Sequence, residues 1–170
     1  DIAGFTRLAE ELTPKQVVAF LDEVFTRFDE LVDKYSLDKI KTIGDAYMVA
    51  GGLVGDVSDY VDRTANMALD MIEISRTDPG LRRYGLELHV GIATGPIVAG
   101  VIGSKRFVYD LWGDTVNIAF RLTGEAPNGT ITVDKTTYRR ISQRYKFDEE
   151  REVKVKGKDP MSVYRLVSRL

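Results

Sequence analysis

Two apolar, β-leaning runs flanking Thr42-Ile43-Gly44-Asp45 constrain this chain more than any other stretch. They form Lys39-Ile-Lys-Thr-Ile-Gly-Asp-Ala-Tyr-Met-Val-Ala-Gly-Gly52. A turn glycine beside a carboxylate, between two strand-like segments, predicts a hairpin with Asp45 at its tip. Strand side chains alternate between faces and the turn interrupts the alternation, so Lys41 and Asp45 need not serve the same site. A lysine and an aspartate this close in a chain commonly form no more than a surface ion pair. The hairpin alone therefore carries no function.

The segments around it read as alternating helices and strands. Thr13-Pro14 predicts a helix start, with Thr13 as cap and Pro14 at the first helical position. Val17, Leu21, Val24, Phe28, Leu31 and Tyr35 then recur every three or four residues, one apolar stripe on a long helix. The spacing of Val61, Ala65, Ala68, Leu69 and Ile72 predicts a second helix over 60–75. Asp78-Pro79-Gly80 reads as a turn. Strands are expected over 86–93, 97–102 and 130–133, with a third long helix from Gly113 between the last two. Asp134 caps a short helix to about Arg144, and 152–156 and 162–167 alternate as half-buried strands. The order strand–helix–hairpin–helix–strand is that of an α+β, ferredoxin-like βαββαβ sandwich with additional C-terminal strands.

At 170 residues the chain has one domain's length and buries a real core. A net charge of −2 argues against a nucleic-acid partner, and the absence of cysteine excludes disulfides and thiolate metal sites. No apolar run reaches membrane-spanning length, so no membrane contact is expected from this segment.

Several residues are candidates for chemistry. Asp1 opens the glycine-containing loop Asp1-Ile-Ala-Gly-Phe-Thr6. With Asp45 it has two readings: turn carboxylates that satisfy backbone N–H groups, or oxygen ligands for a hard cation such as Mg²⁺. The loop itself offers backbone N–H groups to an anion, a weak signal in isolation. Asn117 and Arg121 stand one turn apart, either as an ordinary exposed face or as a pair suited to a ribose and a phosphoryl group. His89, the only histidine, reads as a half-exposed strand residue far from these segments.

Taken together, Asp1–Thr6, Lys39–Gly52 and Tyr109-Asp-Leu-Trp-Gly-Asp-Thr-Val-Asn-Ile-Ala-Phe-Arg121 resemble the catalytic domain of class III nucleotide cyclases, most of all the bacterial homodimeric adenylate cyclases. The resemblance covers nearly the whole chain, read as a single domain over 1–170. Cyclases of this kind carry a short strand that ends at the first aspartate, so a strand before Asp1 is expected in the parent protein. The resemblance implies a cytoplasmic catalytic domain that converts ATP to cyclic AMP and pyrophosphate, with two Mg²⁺ or Mn²⁺ ions per site. It assigns metal binding to Asp1, the Ile2 carbonyl and Asp45. Phe5 and Thr6 offer N–H groups to the triphosphate, and Lys156 neutralises its terminal phosphates. Asn117 orients the ribose, Arg121 meets the α-phosphate, and the Leu111 carbonyl contacts the adenine amino group. Lys41 and Asp110 match donor and acceptor to the adenine edge, where guanylate cyclases carry glutamate and cysteine. Each site is shared by two chains: Asp1 and Asp45 come from one, and Lys41, Asp110, Asn117, Arg121 and Lys156 from a second copy. Phe120 departs from the small residue, commonly serine, that precedes the arginine, and Asp159-Pro160 departs from the usual glycine after Lys-Gly-Lys158. Tyr109 and Trp112 are expected as packing at the purine pocket wall. A guanylate cyclase and a non-catalytic dimerisation domain are the alternatives. The signature Gly-Gly-Asp/Glu-Glu-Phe of diguanylate cyclases is absent.

Overall fold

The computed structural model describes residues 1–55, 58–148, 150–154 and 159–170. Its first strand, β1 (Ile2–Ala3), leads into a short helix α1 (Phe5–Glu11) and the long α2 (Pro14–Tyr35). Thr13 closes a capping box with Gln16: its hydroxyl accepts from the Gln16 N–H, and the Gln16 side chain accepts from the Thr13 N–H. Orphan donors at the helix start are thereby satisfied. The predicted hairpin follows as β2 (Asp38–Ile43) and β3 (Ala46–Ala50). Gly44 sits at φ +60 while Asp45 has no positive φ, the pattern of a two-residue turn with glycine in the first position. The ladder is irregular at one place. Lys39 pairs with Val49 and Lys41 with Met48, leaving Ile40 as an extra residue on β2.

The next elements are α3 (Tyr60–Thr77), α4 (Pro79–Arg83) and β4 (Glu87–Ile92). Then come the two-stranded β5 (Val98–Val101) and β6 (Tyr109–Trp112), followed by α5 (Asp114–Glu125). The chain continues through β7 (Thr130–Asp134), α6 (Lys135–Ile141), β8 (Tyr145–Phe147), β9 (Arg151–Val153) and β10 (Met161–Arg169). The main sheet runs β1-β4-β7-β10-β8, with β9 also on β10. The β4–β7 pair is parallel and its other ladders are antiparallel.

Alternation along the sheet divides the core in two. Leu88, Ile92, Ile131, Val133 and Leu166 meet Phe20, Val24 and Phe28 of α2 and Ala65, Ala68 and Ile72 of α3. On the other face Val163 and Val153 pack against Leu122 of α5. The α+β class and the order α2, β2–β3, α3, β4 agree with the sequence. The hairpin, however, forms its own two-stranded ladder among the described residues, separate from β1. Three further differences stand out. The Asp1–Thr6 loop contains β1 and the start of α1. Asp78 accepts from the Gly80 and Leu81 N–H groups and so caps α4, where the sequence reads as a plain turn. Helix α6 ends at Ile141, short of the expected Arg144, and β8 follows where the sequence predicted no strand.

Candidate active site

The register of β1 decides how its end is presented. The His89 N–H donates to the Asp1 carbonyl at 2.9 Å, and Ile2 lies opposite Leu88. Pairs in an antiparallel ladder alternate, so Ile2 turns its own N–H and C=O away from β4. That edge faces the hairpin tip, and the Ile2 N–H reaches the Asp45 carboxylate at 3.4 Å. Asp1, Ile2 and Asp45 all line one small cavity of about 100 Å³. Two carboxylates and a backbone carbonyl make an all-oxygen donor set, which suits Mg²⁺ or Mn²⁺ and not a softer metal. Among the described residues no three His, Cys, Asp or Glu side chains converge. A hard cation held partly by substrate phosphates needs only one or two carboxylates, so the residues fit it. His89 stands opposite Asp1 in the ladder, nearer than its place in the sequence implies. Its Nδ1 lies 2.9 Å from the Ala126 carbonyl at the end of α5.

A second cluster forms where β2 passes β6. The Lys41 Nζ lies 2.5 Å from Asp110 Oδ2, with the two side chains 31% and 21% exposed. The other Asp110 oxygen accepts from the Leu111 N–H at 2.8 Å. Lys41, helped by that N–H, holds the Asp110 carboxyl below the usual carboxylate range. The pair offers an ammonium donor and a carboxylate acceptor side by side at a half-open edge.

The third group rides on α5. Asn117 and Arg121 are exposed and one turn apart. A larger cavity, about 290 Å³, lies between the hairpin, the end of β4 and α5. Asp1, Leu111, Thr115 and Phe120 line it; Asn117 and Arg121 do not. The helical phase explains this, since residues 117 and 121 point roughly a quarter turn away from 116 and 120. A single chain thus gathers Asp1 with Asp45, and Lys41 with Asp110, but leaves the Asn117/Arg121 face outside the cavity that Asp1 lines. The helix is set close to the sheet by Gly91, where an added Cβ would stand 2.3 Å from the Ala119 carbonyl. Phe5 and Thr6 begin α1, and first-turn N–H groups have no acceptor within their own helix. Tyr109 is exposed, Trp112 is half-buried and Phe120 forms part of the cavity wall. Lys156 lies outside the described residues.

One cluster has no counterpart in the sequence reading. The Tyr47 hydroxyl and Lys39 both donate to Asp29 of α2, tying the hairpin to that helix. Burial alone would raise the Asp29 carboxyl, but these two donors outweigh it and hold it low.

The family model for the adenylate and guanylate cyclase catalytic domain matches residues 1–168. An adenylate cyclase of Mycobacterium tuberculosis is 42% identical over 169 residues, which are 99% of this chain and 38% of that protein. The chain therefore spans about two fifths of that relative's length. Among solved structures, the guanylate cyclase domain of RhGC from Catenaria anguillulae, in complex with GTP, superposes with a TM-score of 0.95 at 32% identity. That match covers 100% of this chain and 93% of the other. The adenylyl cyclase CyaB from P. aeruginosa gives a TM-score of 0.90 at 27% identity, covering 99% and 90%. On the strength of the family match, the fold and the placement of these residues, the chain belongs to the adenylate and guanylate cyclase catalytic domains of class III.

Proposed function

We propose that this domain is an adenylate cyclase, converting ATP to 3′,5′-cyclic AMP and pyrophosphate at sites shared between two copies of the chain. The observation that carries the choice of base is the Lys41–Asp110 pair. Adenine presents an acceptor at N1 beside a donor amino group at N6, and an adjacent ammonium and carboxylate complement both. Guanine reverses that pattern and would leave both groups mismatched.

In this reading the ribose 3′-oxygen attacks the α-phosphorus in line, its bond to the pyrophosphate oxygen breaks, and the 3′-hydroxyl proton departs to solvent. The protein contributes position and charge. Lys41, Asp110 and the Leu111 carbonyl fix the base, and Asn117 orients the ribose. Arg121 faces the charge that builds on the α-phosphate, and Lys156 and the N–H groups of Phe5 and Thr6 hold the remaining phosphates. Asp1, Asp45 and the Ile2 carbonyl would hold Mg²⁺ or Mn²⁺. When bound, such ions would supply Lewis acidity at the 3′-hydroxyl and the leaving pyrophosphate. Asp1 and Asp45 serve one site while Lys41, Asp110, Asn117 and Arg121 serve the other, so two identical chains complete both. Support for a second copy comes from an apolar surface along β5 and the segment after it. Val98 is 67% exposed, Ile102 69% and Phe107 80%. A patch of this kind marks an interaction face.

The test is product identity. Purified domain with Mn²⁺ and either ATP or GTP is expected to yield cyclic AMP, with kcat/KM for ATP at least about tenfold above GTP. Preferential cyclic GMP would make it a guanylate cyclase. No cyclic nucleotide from a folded, dimeric protein would make it a non-catalytic relative.

A further inference from the structure

Lys39 and Lys41 stand two apart on β2, and in a regular strand such residues share a face. Here they do not. Lys39 turns toward α2, where its Nζ lies 2.7 Å from Asp29 Oδ1 and 5.1 Å from the centre of the Tyr47 ring. Lys41 turns to the opposite side and pairs with Asp110 on β6. The ladder explains the split. Lys39 pairs with Val49 and Lys41 with Met48, which are consecutive and so point to opposite faces. Ile40 is the residue in excess, a β-bulge, and bulges re-aim the side chains that follow them. Were the same sequence paired without the bulge, Ile40 would take the place opposite Met48 and Lys41 would fall opposite Tyr47, on the face already occupied by Lys39, Asp29 and the aromatic cluster of Phe25, Phe28 and Tyr47. A shift of one residue moves a strand's whole side-chain set to the other face.

We infer that the phase of β2, offset by one residue between Lys39 and Lys41, is the specificity-setting device of this domain. It turns Lys41 off the α2 face and onto Asp110, while the Asp29–Lys39–Tyr47 cluster holds the bulge at that place in the strand. Lysine at position 41 is then necessary but not sufficient for base selection, and Lys39 and Asp29 are positioning residues. The inference rests on the adenylate reading above for its functional consequence, but not for its geometry.

Two single-residue deletions separate strand phase from every other effect. Removing Ile40 leaves a regular ladder with Lys39 still opposite Val49 and Lys41 still opposite Met48. Removing Thr42 instead also leaves a regular ladder, with the same length and the same Ile43–Ala46 closing pair. Lys41 then falls opposite Tyr47, on the wrong face. The ATP-over-GTP ratio of kcat/KM is expected to stay within about threefold of wild type without Ile40. Without Thr42 it should fall by about tenfold or more, the penalty of one mismatched hydrogen bond to the base. Two deletions that behave alike, or in the reverse order, would overturn the inference.

Carbon-detected NMR of the Asp110 carboxyl gives a readout independent of substrate. It should titrate low in wild type and in the Ile40 deletion, and rise toward the ordinary carboxylate range in the Thr42 deletion, where only the Leu111 N–H still lowers it. Should the wild type not prefer ATP, the adenylate reading falls while this titration still decides the strand phase. Should either deletion fail to fold, cross-strand NOEs in the intact domain decide it. Contacts from Lys41 to Met48 are expected, and Lys41 opposite Tyr47 would overturn the inference.

Discussion

At Asp110 two groups act on one carboxylate, the Lys41 ammonium and then the Leu111 N–H, and both favour its ionised form. The sign of the pH effect follows. A carboxyl whose pKa is lowered by folding stabilises the native state above its unfolded value, near 4, and loses that contribution as pH falls through the folded value. Lys41→Met should therefore raise the Asp110 titration midpoint. The stability gap between variant and wild type should be present at neutral pH and narrow below about pH 4 in acid-unfolding curves. A gap that does not vary with pH would remove the electrostatic reading of this pair. The same two positions carry the second prediction at this scale. Lys41→Glu with Asp110→Cys should lower ATP turnover by about a hundredfold, because mismatching each hydrogen bond to the base costs about 1–3 kcal/mol. Some GTP turnover should appear. An unchanged preference for ATP would mean that the base is read elsewhere.

Among the elements, α5 depends most on a single small residue of the sheet. An added Cβ at Gly91 would meet the Ala119 carbonyl at 2.3 Å and the Thr123 N–H nitrogen at 2.5 Å, and backbone cannot step aside as a flexible side chain does. Gly91→Ala should cost about 1–3 kcal/mol of stability. It should also lower kcat by moving Asn117 and Arg121 away from the sheet. Thermal melting and steady-state kinetics check both, and a variant with wild-type melting and turnover would contradict the close approach. The long elements were legible because their signals repeat. The α2 stripe runs the length of a 22-residue helix that carries its own capping box, and the Gly44 turn joins two apolar runs. What escaped was short or silent. Helix α1 buries only Phe5 and Leu8, too few for a periodic pattern, and β1 has two residues. Asp78 reads the same whether it ends a helix in a turn or caps the next one. The bulge at Ile40 leaves no compositional trace, because it shows only when a partner strand is aligned. The Asp29–Tyr47 bond joins elements whose contact depends on tertiary packing. The residues proposed for metal and base stand out only by their match to a family pattern, and residue chemistry alone left both readings of Asp1 and Asp45 open.

Across the whole molecule, Lys41 and Asp45 are proposed to work in opposite sites although they flank one turn. Asp45→Ala and Asn117→Ala test this together. Each homodimer carries one defect in both sites and should fall at least about a hundredfold in cyclic AMP synthesis. Melting of the Asp45→Ala protein should stay within about 1 kcal/mol of wild type, since a half-exposed turn carboxylate adds little packing. Mixing the two proteins places both defects in one site and none in the other. With random exchange about half the dimers are mixed, so activity should recover to ~25% of wild type under two-fold symmetry. Recovery should rise with total protein concentration, as mass action requires. No recovery, with subunit exchange shown independently by mass spectrometry of differently labelled chains, would place the whole active site within one chain and end the shared-site mechanism.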